Sequence, residues 1–298
     1  MIFQTNYIKL EERTKMLTGS KQLLNNAQKS GYAIGHFNTS DLEITKAIVM
    51  AAAKLNSPVI VATSEKAISF AGLEQLADII KNEAEQVKIP VVMHLDHAKS
   101  FDLCQKAIQT GYTSVMIDAS SLSFEENISL TSRVVKLAHR ENVTVEAELG
   151  ALATPDKYQV GINQFLTDPE KAEEFVKTTE IDGLAIAIGN AHGIPLPEEK
   201  LDFNRLSQIR DKVSVPLVLH GASSTPEAEM KKAISLGICK INIDTDIKIA
   251  FSKNIVEFLK THQQNIDPRE MLGSAASAVE AVVEKKIELI GSRDKAVS

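Results

Sequence analysis

Eight short runs of β-branched and other apolar residues, each followed by a longer stretch with helical spacing, constrain this chain more tightly than any other feature of it. The runs are Tyr32 to Asn38, Val59 to Thr63, Pro90 to Asp96, Ser114 to Asp118, Val143 to Glu148, Gly183 to Gly189, Pro216 to His220 and Cys239 to Asp244. Helix-spaced segments lie at Asp41 to Leu55, Leu73 to Glu85, Phe101 to Thr110, Glu125 to Arg140, Pro169 to Thr178, Asp202 to Arg210 and Pro226 to Ser235. Asp168-Pro169 and Thr225-Pro226 each set a capping residue before a proline at the first helical position, a good start signal. Strands this apolar have to be covered on both faces, as in a parallel sheet wrapped by helices. Eight such units predict an α/β fold, a closed (β/α)8 TIM barrel, in one domain over residues 16–298 with extra C-terminal helices. An open doubly wound sheet is the competing architecture. It lacks support, because no Gly-x-Gly-x-x-Gly follows the first run and no phosphate-loop Gly-Lys-Ser/Thr occurs.

Three segments fall outside the repeat. Residues 1–15 precede a second start at Met16 and read as an N-terminal extension or docking arm. Leu149 to Gln164 is long for a βα loop and reads as a lid. From Phe251 onward the chain reads as helical, with a break at Asp267-Pro268. The 298 residues are 44% hydrophobic, too apolar for disorder and sufficient for a large core. Acidic residues outnumber basic ones, 39 to 33, and no Lys/Arg run stands out, so nucleic acid is not an expected partner. The apolar runs are strand-sized, well short of the ~20 residues that span a bilayer. With no basic-then-apolar leader at the N-terminus, a cytoplasmic protein without a membrane partner is expected. Cys104 and Cys239 sit in apolar segments and read as small core residues, giving neither a disulfide framework nor a thiolate zinc site.

In a barrel of this kind the catalytic groups stand at the C-terminal ends of the strands. Those ends carry His94-Leu95-Asp96-His97, Asp118, Glu146-Ala147-Glu148, Asn190-Ala191-His192-Gly193, His220-Gly221 and Asn242-Ile243-Asp244-Thr245-Asp246. Histidines and carboxylates from six strands therefore converge on one rim. His97, His192 and His220 form a trio of imidazoles, and three protein ligands with an open position are the arrangement of a catalytic zinc. Each histidine alone is equally well a buried, hydrogen-bonded residue. His94, of the same facing parity as Asp96 and one layer deeper, reads as supporting; His36, His139 and His262 receive no role. Gly221-Ala222-Ser223 and Asn242 to Thr245 follow strands seven and eight, where such barrels bind phosphate through backbone N–H groups and hydroxyls. Small residues there also serve tight turns.

At these residues the sequence resembles the class II, zinc-dependent ketose-bisphosphate aldolases, the family of fructose- and tagatose-bisphosphate aldolases. Gly35-His36-Phe37-Asn38, His94 to His97, Glu146 to Gly150, Ala191-His192-Gly193, Leu219 to Ser223 and Asn242 to Asp246 occur in family order between Met16 and Gly291. The resemblance implies that His97, His192 and His220 bind a catalytic zinc, with Asp118 and Glu148 at a second divalent-ion position. It implies Asp96 as general acid/base, and substrate contacts from Asn38, Ser64, Gly193, Gly221, Ala222, Ser223, Asn242, Ile243, Asp244 and Thr245. A monovalent cation at the phosphate and a homodimer or homotetramer are further implications. The expected reaction is reversible cleavage of a phosphorylated sugar, fructose 1,6-bisphosphate or its tagatose epimer, to dihydroxyacetone phosphate and glyceraldehyde 3-phosphate through a zinc-stabilised enediolate.

The chain also departs from the family pattern. The usual lid, Glu-Leu-Gly-x-x-Gly-Gly-x-Glu-Asp, is here Glu148-Leu149-Gly150-Ala151-Leu152-Ala153-Thr154-Pro155-Asp156-Lys157. Its hinge glycines are absent, and Asp156 replaces the Glu assigned to proton transfer at carbon 3. Ser224 stands for a glycine, Ile194-Pro195-Leu196 for Tyr-Lys, and Lys66 for the glycine of Ser-Glu-Gly-Ala. Competing readings are a metal-assisted hydrolase, a degenerate aldolase that only binds sugar phosphates, and a Schiff-base aldolase using Lys240. The first wants a His-x-His at the end of strand one, where Phe37-Asn38 stands. Asp96 and the histidine trio weigh against the second. Strand packing or a carboxylate partner is the blander fate of Lys240.

Overall fold

The computed structural model describes residues 17–150, 165–190, 200–223, 225–264 and 267–296. Eight strands close into a barrel in chain order, each parallel to its neighbours, with the last pairing back onto the first. They are β1 (Ile34–Asn38), β2 (Val59–Ser64), β3 (Val91–Ala98), β4 (Ser114–Ile117), β5 (Thr144–Leu149), β6 (Gly183–Ile186), β7 (Leu217–Leu219) and β8 (Ile238–Ile243). The runs read from sequence therefore correspond to the strands. Alternate residues such as Val59, Val61, Val91, Met93, Leu95, Val115 and Ile117 face outward into a core shared with the helices.

The helices begin where short polar side chains cap them. α1 (Ser20–Ser30) precedes the barrel, and α2 (Leu42–Lys54) starts at Asp41, whose carboxylate accepts from Ile44 N–H. The seven-residue α3 (Glu65–Ala71) and α4 (Leu73–Ala84) follow β2. α5 (Phe101–Thr110), α6 (Phe124–Arg140), α7 (Pro169–Thr179), α8 (Phe203–Lys212) and α9 (Glu227–Ser235) alternate with the later strands. α10 (Thr245–Thr261) and α11 (Pro268–Ile290) complete the described helices. Val279, Val283, Ile287 and Ile290 make a buried stripe on α11, which packs on α2, α10 and β1. Among the described residues, no helix is long and apolar enough to cross a membrane.

The structure departs from the sequence reading in two elements and one cap. The sequence reading missed α1 and α3. Asp168 caps α7 with Pro169 in its first turn, as expected, but Thr225 does not cap α9: Pro226 holds an extended ψ of 142° at the cap position, and the helix begins at Glu227.

α1 decides which end of the barrel is open. Its Leu24 and Ala27 pack against Ile34, Ile60 and Val92, and Ser20 Oγ lies 2.8 Å from Thr144 Oγ1. The N-terminal mouth is thereby plugged, and polar side chains gather toward the opposite end. Gly189, beyond β6, turns at φ +105°, where a Cβ would stand 2.4 Å from the Lys200 carbonyl oxygen. Gly189→Ala is accordingly expected to cost about 1–3 kcal/mol, from left-handed strain and a backbone clash, and to lower the thermal unfolding midpoint. An unchanged midpoint would show that the Lys200 backbone yields freely.

Candidate active site

Neighbouring strand residues ordinarily face opposite ways, so Asp96 and His97 should not share the barrel interior. The pairing of β3 with β4 shows how they do. His94 and Leu95 oppose Ser114 and Val115, and the register resumes at Ala98 opposite Ile117, leaving two residues against one. This is a β-bulge, and His97 occupies it with φ +49°, a left-handed conformation that a non-glycine residue adopts at a cost of about 1–2 kcal/mol. The turn brings His97 alongside Asp96, with Nε2 3.9 Å from Asp96 Oδ1, and stacks it edge-on to His220 at 4.6 Å between ring centroids.

Donor atoms of His97, His220 and Glu148 lie within 4.8 Å of one another, buried or half-buried. Each imidazole is oriented by a carboxylate. His97 Nδ1 is 2.8 Å from Asp118 Oδ2, which Lys99 Nζ also approaches, and His220 Nε2 is 3.0 Å from Glu146 Oε1. Glu146 in turn holds Lys240 at 2.8 Å, both nearly inaccessible. Lys240 thus has the carboxylate partner considered for it. Glu148 Oε2 stands 3.5 Å from His220 Nδ1 and 3.7 Å from His97 Nδ1, and accepts no hydrogen bond among the described residues.

The electrostatics fit a site built for a cation. Burial, then the charge of Asp118, pushes the Glu148 carboxyl up to about 8. Burial opposes charge on His97, but Asp96, the Asp118 hydrogen bond and Glu148 outweigh it and hold the imidazole up to about 9. Asp118 and Asp96 lie well below the ordinary carboxylate range. Burial opposes their ionisation; the His97 hydrogen bond outweighs it for Asp118, and the charge of His97, among others, for Asp96. A buried carboxylate oxygen lacking a donor, facing two oriented imidazoles, is the nitrogen-and-oxygen donor chemistry that suits zinc. His192 lies outside the described residues, as do Gly193 and Asp156.

Beside the cluster opens a cavity of about 500 Å³. It is lined by seven of the predicted binding residues, Asn38, Ser64, Gly221, Ser223, Asn242, Asp244 and Thr245, together with Asp96 and His97. Ala222 and Ile243 instead bury their side chains in the core. Asp118 and Glu148 flank His97, with Glu148 in the imidazole cluster itself. Sequence reasoning left Glu146, Lys66, Lys99 and Lys248 unassigned. Glu146 shares the facing parity of Glu148, and Lys248 lies four residues after Asp244, with which it pairs at 2.5 Å. Those two spacings were visible signals; the Lys99 to Asp118 pair needs the closed barrel.

A parallel barrel plugged at one end, with its ionisable side chains gathered at the other, is built as a barrel enzyme. Residues 18–295 match the family described as fructose-bisphosphate aldolase class-II, and the chain belongs to that family. It is an aldolase of the ketose-bisphosphate type, in a family whose members generally depend on zinc. It is 44% identical over 283 residues to the fructose-bisphosphate aldolase of Geobacillus stearothermophilus, covering 94% of this chain and 99% of that one. Among solved structures it is similar to the YdjI aldolase of Escherichia coli K12, at 38% identity and a TM-score of 0.86, over 95% of this chain and all of that one. The Campylobacter jejuni fructose-bisphosphate aldolase shares the fold at 24% identity, with a TM-score of 0.80 over 94% and 97% of the two chains.

Proposed function

We propose that this aldolase cleaves fructose 1,6-bisphosphate to dihydroxyacetone phosphate and glyceraldehyde 3-phosphate, with His97, His220 and His192 holding a catalytic zinc and Glu148 beside them. The observation carrying this reading is the meeting of His97, His220 and Glu148 with an ionised Asp96 at the edge of a cavity lined by hydroxyls, amides and lysines. When bound, the ion supplies Lewis-acid stabilisation of the negative charge that develops at the carbonyl end of the substrate. Asp96 takes the proton from the carbon 4 hydroxyl in cleavage and returns it in condensation. Its Oδ2 accepts from Asn38 Nδ2 at 2.8 Å, which holds the carboxylate in place. In this reading Asn242 donates to the developing charge, and Ser223, Thr245 and the backbone at Gly221 hold the phosphate; their position in the cavity lining supports it. Asp156 is the proposed base at carbon 3. A second divalent ion near Asp118 and Glu148 and a monovalent cation at the phosphate belong to the same reading.

The outward apolar residues Ile249, Val256 and Leu259 of α10 support assembly into a homodimer or homotetramer. The deciding assay is product analysis with fructose and tagatose bisphosphates, on protein stripped of metal and on protein reloaded with zinc. Cleavage of the fructose epimer that vanishes on stripping and returns with zinc is expected. Preference for the tagatose epimer would reassign the substrate, and cleavage that survives stripping would remove the ion.

A further inference from the structure

His36 has no place in the scheme above, yet it is fully buried in the barrel interior, one layer below Asn38. Its Nε2 lies 3.1 Å from Asn38 Oδ1 and 3.7 Å from Asp96 Oδ1. A carboxylate only accepts hydrogen bonds, so Asn38 must turn its amide nitrogen toward Asp96 Oδ2, as it does at 2.8 Å. That leaves the amide oxygen facing His36, where it needs a donor. Burial and the neighbouring Lys240 ammonium keep the His36 ring neutral, with a single N–H to place. A proton on Nδ1 would set two lone pairs against each other at 3.1 Å; a proton on Nε2 makes a hydrogen bond.

We propose that His36 is a positioning residue for proton transfer: its Nε2–H fixes the Asn38 amide, which pins Asp96 Oδ2 and so sets how the carboxylate meets the cavity. Asp96 Oδ1 accepts no hydrogen bond among the described residues, so the Asn38 amide is the donor that holds this carboxylate. His36, His94 and Asp96 also bring donor atoms within 4.8 Å of one another, the spacing of a metal site. The adjacent Lys240 ammonium opposes a cation there and favours neutral imidazoles. His94 is separately anchored, its Nδ1 2.8 Å from Ser114 Oγ.

The inference rests on Asp96 as the acid/base, so the experiment is a double-mutant cycle in zinc-loaded enzyme. His36→Met is expected to lower kcat about 10- to 100-fold, with KM and zinc content unchanged, as fits a small misplacement of a reacting group. His36→Gln, which keeps an N–H donor, is expected to recover most of the loss. In an Asp96→Ala background His36→Met is expected to add no further loss. An equal fractional loss in both backgrounds overturns the positioning role and leaves Asp96 standing; full turnover in Asp96→Ala alone overturns both readings. Nitrogen NMR of histidine-labelled wild-type enzyme gives a check that needs no variant to fold. The Nε2–H tautomer of His36 is expected, and the Nδ1–H tautomer would overturn the proposal.

Discussion

Asp96→Ala is expected to lower ketose-bisphosphate cleavage by about 10²- to 10⁴-fold, the usual span for removal of a general acid or base, while the protein keeps its zinc and its fold. The carboxylate is nearly buried, at 6% exposure, and held ionised by its neighbours despite that burial, so at neutral pH it accepts a proton rather than donating one. It reaches the cavity from the bulge of β3, and its Oδ2 is anchored by Asn38. Removal takes away the acceptor for the hydroxyl proton and leaves the imidazole cluster standing. The measurement is kcat beside zinc content and thermal midpoint. Turnover near the wild-type value would remove Asp96 from the chemistry. A loss that tracks zinc loss instead would make it a prop for the metal ligands.

The barrel was legible because hydrophobic periodicity is a local signal. Val59 to Thr63 or Ser114 to Asp118 reads as a buried strand from its own composition, and eight such runs in succession leave few architectures. The rim residues were legible for a related reason: a polar residue ending an apolar run marks the end of a strand. What was hidden depends on contacts between distant segments or on a broken rule. Parity alone would turn His97 away from Asp96, and only the bulge and its left-handed backbone bring the two together. The plug formed by α1 was hidden because its polar sequence, SKQLLNNAQKS, contains few apolar positions, and Leu24 and Ala27 suffice to fill the narrow mouth. Thr225-Pro226 misled because the cap signal is permissive: proline also sits comfortably at the cap itself, in extended geometry. The role of His36 could not be read from sequence, since it turns on which way the amide of Asn38 faces.

Glu146→Leu is expected to have the largest effect on stability, about 3–5 kcal/mol, because it strands a buried ammonium. Lys240 Nζ lies 2.8 Å from Glu146 Oε2 at 1% exposure, with neutral imidazoles of His36 and His94 nearby and no other anion bonded to it among the described residues. Glu146→Leu/Lys240→Met removes both charges and is expected to recover most of the thermal midpoint, since a well-packed apolar pair replaces a buried ion pair at little cost. Zinc affinity should separate from stability in the same series. Glu146 Oε1 accepts from His220 Nε2–H, which fixes the tautomer with its lone pair on Nδ1, the nitrogen turned toward Glu148. Neither variant supplies that acceptor, so both are expected to bind zinc about 10- to 100-fold more weakly, the usual cost of losing a carboxylate behind a ligating histidine. Equal midpoints for the single and double variants would mean that Lys240 finds another anion or sheds its proton without strain. Zinc affinity restored in the double variant would mean that charge balance in the barrel, and not the orientation of His220, is what Glu146 provides.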